Sequence, residues 1–337
     1  MKVRTVAVSV LAIALFAWFL RNSNPADVWR HMRAARTDYL LLAFAFVVLP
    51  FWLRTVRWRC LLAPLGPTSL AGVFRATILG FAALALLPGR VGDVLRPYLV
   101  ARQEKLSLPA TLATIVMERV LDLVVVLTLL AVYVWNVDES SLSPGLIEPI
   151  KVSALVAAIA AAGLVVLMWV LATHPERIGG IVRTADRILP HALVHRLAGW
   201  ATTFSTGFAA ARSPRHFAQA VFWSFPVWLA FSAEAWAVSK AFGIEMPLSG
   251  SFLLQAMLVL GVAVPTPGGV GSFHAFYKFG VTRFFGASDE AAVAAAIVLH
   301  AMSVLPVVLA GLFVMAQEGM TMGRLRAMAG DAREGEA

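Results

Sequence analysis

The sequence predicts an all-α, polytopic membrane helix bundle, and three observations carry that prediction. Of 337 residues, 60% are hydrophobic and only 14% charged, whereas soluble domains carry roughly 25% charge. The mean hydropathy is +0.79. Apolar runs recur along the chain at about the 20-residue length that crosses a bilayer, which leaves almost no room for a soluble catalytic module. One domain over residues 1–320, followed by a short charged cytoplasmic tail at 321–337, is the expected organisation.

The first apolar run, 3–20, follows Lys2 and Arg4 as a signal peptide would, but no small-x-small site precedes Arg21. An uncleaved helix is expected. Further runs lie at 39–53, 70–87, 108–135, 150–172, 214–242, 247–264 and 288–317, all rich in Leu, Val, Ala and Phe and helical by length. Between them, 54–65 alternates basic and apolar residues, which predicts an interfacial helix presenting Arg54, Arg57 and Trp58 at the membrane surface. Residues 181–211 mix Arg, His and apolar positions and are read the same way.

Two runs end differently. The run 70–87 stops in Leu87-Pro88-Gly89-Arg90-Val91-Gly92-Asp93, and 247–264 stops in Pro265-Thr266-Pro267-Gly268-Gly269-Val270-Gly271. Each break is followed by a helical segment, 94–105 or 272–285, too short to span about 30 Å of hydrocarbon. Both pairs therefore read as re-entrant hairpins. Lipid cannot satisfy irregular backbone, so the breaks should face the protein interior or a wet cavity. With the N-terminus inside, repeats 1–135 and 150–320 run in opposite senses, an inverted repeat whose two breaks meet near the midplane. The segments assigned inside hold most of the Lys and Arg, in keeping with the positive-inside rule; the arginines of 21–38 are the discordant piece.

The net charge of +9 and pI near 10.4 are spread between apolar segments rather than gathered into a stripe. Anionic lipid, not nucleic acid, is the expected partner. The lone Cys60 excludes an internal disulfide and any cysteine-based zinc site. No cofactor and no metal are expected.

Ionisable residues inside apolar spans are costly and mark function by default. Arg90, Asp93 and Arg96 flank the first break, while Glu118, Arg119 and Asp122 fall inside 108–135. Glu118 and Asp122 share a helix face, and Arg119 can pair with a carboxylate or with a bound phosphate. The plainer alternative is an ion cluster that locks the helices together. Pro267, Gly268, Gly269 and Gly271 form a loop opening a helix whose first N–H groups would favour an anion, against a close-packed kink as the alternative. Glu234 and His300 read as satisfied core groups, and His274, one turn past the break, as a cavity residue.

These pieces resemble the transmembrane, flippase-like region of bacterial lysyl-phosphatidylglycerol synthases and its stand-alone relatives. The matching residues are Arg54-Thr55-Val56-Arg57-Trp58, Leu87-Pro88-Gly89-Arg90-Val91-Gly92-Asp93 with Arg96, Glu118-Arg119-Val120-Leu121-Asp122, and Pro265-Thr266-Pro267-Gly268-Gly269-Val270-Gly271. Each motif is short; in this order they cover nearly the whole chain. The resemblance implies a multi-pass bacterial inner-membrane protein with a lipid-accessible cavity, which in the best-understood members moves an aminoacylated phospholipid between leaflets. Relatives also accompany hopanoid, isoprenoid-glycan and glycosyltransferase systems. Two departures stand out: Phe273 and His274 occupy the place where many relatives have a glutamate, and the soluble aminoacyl-transferase domain is absent from the 337 residues, so synthesis of the lipid by this chain alone is not expected.

A lipid translocase that holds the head group of an anionic phospholipid or isoprenoid-type lipid, and that is not an enzyme, is the first expectation. The alternatives are a membrane-embedded enzyme using Glu118 and Asp122 as acid and base, and an accessory subunit whose partner is a lipid-modifying enzyme. No GxxxxGK[ST], HExxH or GxSxG motif is present.

Overall fold

In the computed structural model, which describes residues 10, 13–21, 23–87, 91–136, 144–173, 203–264, 266–321 and 323, every regular element is helical. Helical residues 13–20 lead into α1 (Pro25–Ala34), α2 (Thr37–Leu62), α3 (Leu70–Leu86), α4 (Val91–Gln103), α5 (Leu108–Asn136) and α6 (Pro144–Thr173). After these come α7 (Pro214–Ala241), α8 (Gly250–Ala263), α9 (Ser272–Phe285) and α10 (Asp289–Gln317). Pro88, Gly89 and Arg90 of the first break, most of 181–211, and the tail beyond 323 lie outside the described residues.

The membrane assignment rests on faces as well as lengths. Three stretches among the described residues, Thr37–Leu65, Pro214–Ala241 and Asp289–Gln317, are long and apolar enough to cross a membrane. Their outward sides are also apolar: Leu309 and Phe313 of α10 are 64% and 63% exposed. A belt of this kind would be an aggregation surface in water, and it needs lipid to cover it. At 29 residues α5 is equally long, about 43 Å, but it carries Glu118, Arg119 and Asp122 at its middle.

The expected surface helix over 54–65 does not form. Those residues continue the preceding run as one α-helix, α2, and Arg54, Arg57 and Trp58 are buried inside the bundle. Alternating basic and apolar residues satisfy a membrane surface, but they satisfy an interior equally well when neighbouring helices supply carboxylates and aromatic faces. α2 runs antiparallel to α7: the Arg36 N–H donates to the Ala241 carbonyl at 2.9 Å at one end, and Trp58 and Leu62 share a core with Ala220 at the other.

Both short pairs fold as helical hairpins. α3 starts and α4 ends together, because Ser69 donates to Glu104 Oε1 through its N–H at 3.0 Å and its Oγ at 2.7 Å while capping the Gly72 N–H. Their close approach depends on Gly92, where a methyl group would lie only 2.0 Å from the Gly80 carbonyl oxygen. In the second pair, Gly250 at the start of α8 lies against the Phe285 ring at the end of α9, and Gly261 lies against Phe273. α10 backs onto α3, with Gly311 seated on Ala82.

One end of the 181–211 segment is described. There Gly207 approaches the Ala110 carbonyl, and Phe208 and Ala210 are buried against α5, so this end packs into the bundle instead of lying on its surface.

Candidate functional site: a charged cluster beside a central cavity

α5 supplies the centre of the site. Glu118 and Asp122, one turn apart, face α2, and Arg57 answers both: Nη2 lies 2.9 Å from Glu118 Oε1 and Nη1 2.5 Å from Asp122 Oδ1. Arg57 and Glu118 are completely buried. Arg96 of α4 closes the group with a bidentate pair to Glu118, at 3.1 and 2.7 Å. Its guanidinium carbon sits 3.9 Å from the centroid of the Trp58 ring, and the Trp58 indole N–H donates to Thr114 Oγ1 at 2.9 Å. From α7, Trp228 Nε1 donates to Asp122 Oδ1 at 2.8 Å and Ser224 Oγ accepts from Arg57 at 3.1 Å. Four helices are therefore joined through two carboxylates.

Such a cluster is held by mutual need rather than by a large net gain. Moving two charges out of water cancels much of their attraction, but removing one partner strands the other. Arg96 and Glu118 are committed to each other and to Arg57, which is the locking role set out as the plainer alternative above. Arg119 differs: its side chain is 37% exposed, and it reaches Asp93 at 3.0 Å and Asp122 at 3.5 Å. It looks out of the cluster into open space.

That space is a cavity of about 340 Å³ between α2, α3, α5, α7, α8, α9 and α10. Its polar lining is Arg54, Arg119, Asp122, Glu234, Gln255 and Ser303; most of the rest is apolar, including Phe81, Leu123, Phe231, Leu258 and Phe273. Arg54 is the unusual member. Only 8% exposed, it lies between two aromatic faces, 4.7 Å from the Phe81 centroid and 4.9 Å from that of Phe231. Its buried Nε has no hydrogen-bond partner, and no carboxylate among the described residues lies within ion-pair distance of it. Interiors seldom leave a cation in this state.

The second break adjoins the first hairpin. Gly268, Gly269 and Gly271 take φ of +60°, +74° and +87°, the left-handed region that glycine enters without a Cβ clash. A methyl group at Gly268 would sit 3.4 Å from the carbonyl oxygen of Ala85, in the last turn of α3 before the first break. His300 of α10 donates from Nε2 to the Gly268 carbonyl at 2.8 Å, and Thr266 Oγ1 lies 3.0 Å from Ser272 Oγ. Pro267 opens the short turn Pro267–Gly269.

His274 does not reach the cavity as expected. It is buried in an aromatic cluster, edge-on to His300 with centroids 4.6 Å apart and against Phe16 and Phe19. Its neighbour Phe273 lines the cavity instead. Adjacent residues of a helix point to different sides, and on the side of His274 the Phe16 and Phe19 rings pack against it. Arg90 lies outside the described residues, so of the three arginines expected to gather at one anion site, Arg119 lines the cavity and Arg96 is held by Glu118. Arg54 takes the place beside Arg119. Sequence reasoning had put Arg54 at the surface and Glu234 among satisfied core groups; the available signal was a single arginine and a single glutamate, each inside a run of apolar residues.

The sequence profile described as the lysylphosphatidylglycerol synthase TM region matches residues 5–311. The chain belongs to that family. As a family member it is also similar to glycosyltransferase AglD of Haloferax volcanii, 25% identical over 319 residues that make up 87% of this chain and 50% of that protein. The chain thus spans about half the length of this curated relative. Of the stretches that carry the family resemblance, the α2 and α5 motifs and Arg96 build the charged cluster, and Gly268 of the second break lies beside Ala85 near the end of α3.

Proposed function

We propose that this protein is a multi-pass lipid translocase of a bacterial inner membrane, which carries a lipid between leaflets without changing it chemically. The observation behind the reading is Arg54: a buried guanidinium with no carboxylate within ion-pair distance among the described residues, lining a mainly apolar cavity next to Arg119. A phosphate placed there would receive two charge-assisted sets of hydrogen bonds from groups already dehydrated and oriented. The acyl or isoprenyl chains of an anionic phospholipid or isoprenoid-type lipid would lie along Leu84, Val262 and the other apolar walls. If the two hairpins are re-entrant halves of an inverted repeat, rocking one against the other alternates access to the cavity.

An embedded enzyme is the weaker reading, because both carboxylates on α5 are already engaged by arginines. A role beside a lipid-modifying enzyme as partner is compatible with translocation. The test is reconstitution of the pure protein in liposomes with a fluorescent phospholipid and an impermeant quencher. Faster loss of inner-leaflet signal with the lipid recovered intact is expected, and Arg54→Gln removes it. Conversion of the lipid would favour the enzyme; no exchange and no conversion would favour the accessory role.

A further inference from the structure

The cavity has a second pole. Glu234 of α7 is 2% exposed and lines the cavity, and its one hydrogen bond is from Ser303 Oγ, at 2.7 Å to Oε1. No Lys, Arg or His among the described residues lies within ion-pair distance of it. A carboxylate offers about four acceptor positions, so most of this one's capacity is unused. The Gln255 side chain, 8% exposed, stands on the same wall, with no hydrogen bond from it among the described residues.

Arg54 and Glu234 are each what the other lacks, yet the fold keeps them apart. Phe231, whose ring covers Arg54, precedes Glu234 by three residues on α7. Along the helix that is about 4.5 Å, and Arg54 and Glu234 line the same cavity without an ion pair between them among the described residues. Direct pairing would have been the cheaper solution for a purely structural core. A cavity that holds a guanidinium and, apart from it, a carboxyl group is complementary to a ligand that carries both an anion and a cation.

We infer that Glu234 is a specificity determinant for a zwitterionic head group, in which a phosphate meets Arg54 and Arg119 and a primary ammonium, a few bonds away, meets Glu234 with Ser303 and Gln255 beside it. The inference rests on the lipid-binding reading above, keeps its phosphate, and replaces the anionic head group named there with a zwitterionic one. A head group carrying only an anion fills the first pole and leaves Glu234 buried without a cation. A dicationic head group brings one ammonium more than this wall has carboxylates.

The experiment is thermal stabilisation of the purified full chain in detergent by two short-chain probes, dihexanoyl phosphatidylethanolamine and dihexanoyl phosphatidylmethanol. They share the phosphate and differ in the ammonium. Wild type should half-saturate at a concentration of the ethanolamine lipid about tenfold lower, the worth of one charge-assisted pair. Glu234→Gln should abolish that preference and still bind phosphatidylmethanol, Glu234→Asp should keep a reduced preference, and Arg54→Gln should weaken both lipids. Equal binding of the two probes by wild type, or an unchanged preference in Glu234→Gln, overturns the inference while leaving the lipid-binding reading in place. Dihexanoyl phosphatidylglycerol matching the ethanolamine lipid overturns it in favour of a hydroxyl-reading wall. Stabilisation by neither probe overturns both. If Glu234→Gln does not fold, Gln255→Leu supplies the same comparison, with a smaller loss of preference expected.

Discussion

Arg57 Nη1 and Asp122 Oδ1, 65 residues apart in the chain, meet at 2.5 Å in the interior. Breaking this contact leaves a buried charge under-compensated: without Asp122, Arg57 keeps only Glu118, which Arg96 also claims. Asp122→Asn should cost about 3–5 kcal/mol, the usual penalty for stranding one half of a buried pair, and should lower the midpoint of thermal unfolding in detergent sharply. Arg119→Gln should cost clearly less, since that side chain is 37% exposed and water screens it. Equal destabilisation by the two changes would count against the division of roles drawn here.

Arg54 predicts the opposite pattern. With no ion pair to lose, Arg54→Gln should leave thermal unfolding near that of wild type or raise it, while lipid exchange in liposomes falls to the protein-free rate. A large drop in stability with exchange per folded molecule unchanged would show that the guanidinium is structural.

Gly92 sets the approach of α3 to α4. Gly92→Ala places a methyl group 2.0 Å from the Gly80 carbonyl oxygen, and backbone at that distance cannot yield as a side chain can. The first hairpin must splay, at a cost of about 1–3 kcal/mol or more. Gly163, whose built Cβ meets nothing within 4 Å, is the control: Gly163→Ala should be neutral or slightly stabilising. Unfolding midpoints of the two variants give the comparison.

The Ser69–Glu104 hydrogen bond predicts that both ends of the first hairpin open on one side of the membrane. On a Cys60→Ser background, Thr68→Cys and Lys105→Cys should react with an impermeant thiol reagent from the same side, and Glu245→Cys from the other. Labelling of Thr68→Cys and Lys105→Cys from opposite sides would make the hairpin a single full crossing. Reversal of all three would invert the orientation and leave the hairpin intact.

Much of the architecture was legible in the order of residues. Runs of Leu, Val and Ala long enough to cross a bilayer define helices because lipid offers their backbone no other partner, and Pro/Gly clusters end them because proline lacks the N–H and, in the second break, Gly268, Gly269 and Gly271 sit at positive φ. The hairpin positions, the carboxylates of α5 and the family resemblance all follow from local sequence of this kind. Charge placement does not. Arg54 and Arg57 are three residues apart on one helix, in a pattern that suits a membrane surface as well as an interior. Arg57 is ion-paired because α5 presents Asp122 and Glu118 to it, while Arg54, with no carboxylate within ion-pair distance among the described residues, lies between Phe81 of α3 and Phe231 of α7. His274 packs against Phe16 and Phe19, residues more than 250 positions away, and Glu234 meets Ser303 of α10 with no cation within ion-pair distance among the described residues. An ionisable group takes its role from whatever lies within about 4 Å of it, where Coulombic and desolvation energies are decided; in this protein those neighbours come from other helices, and only their packing selects them.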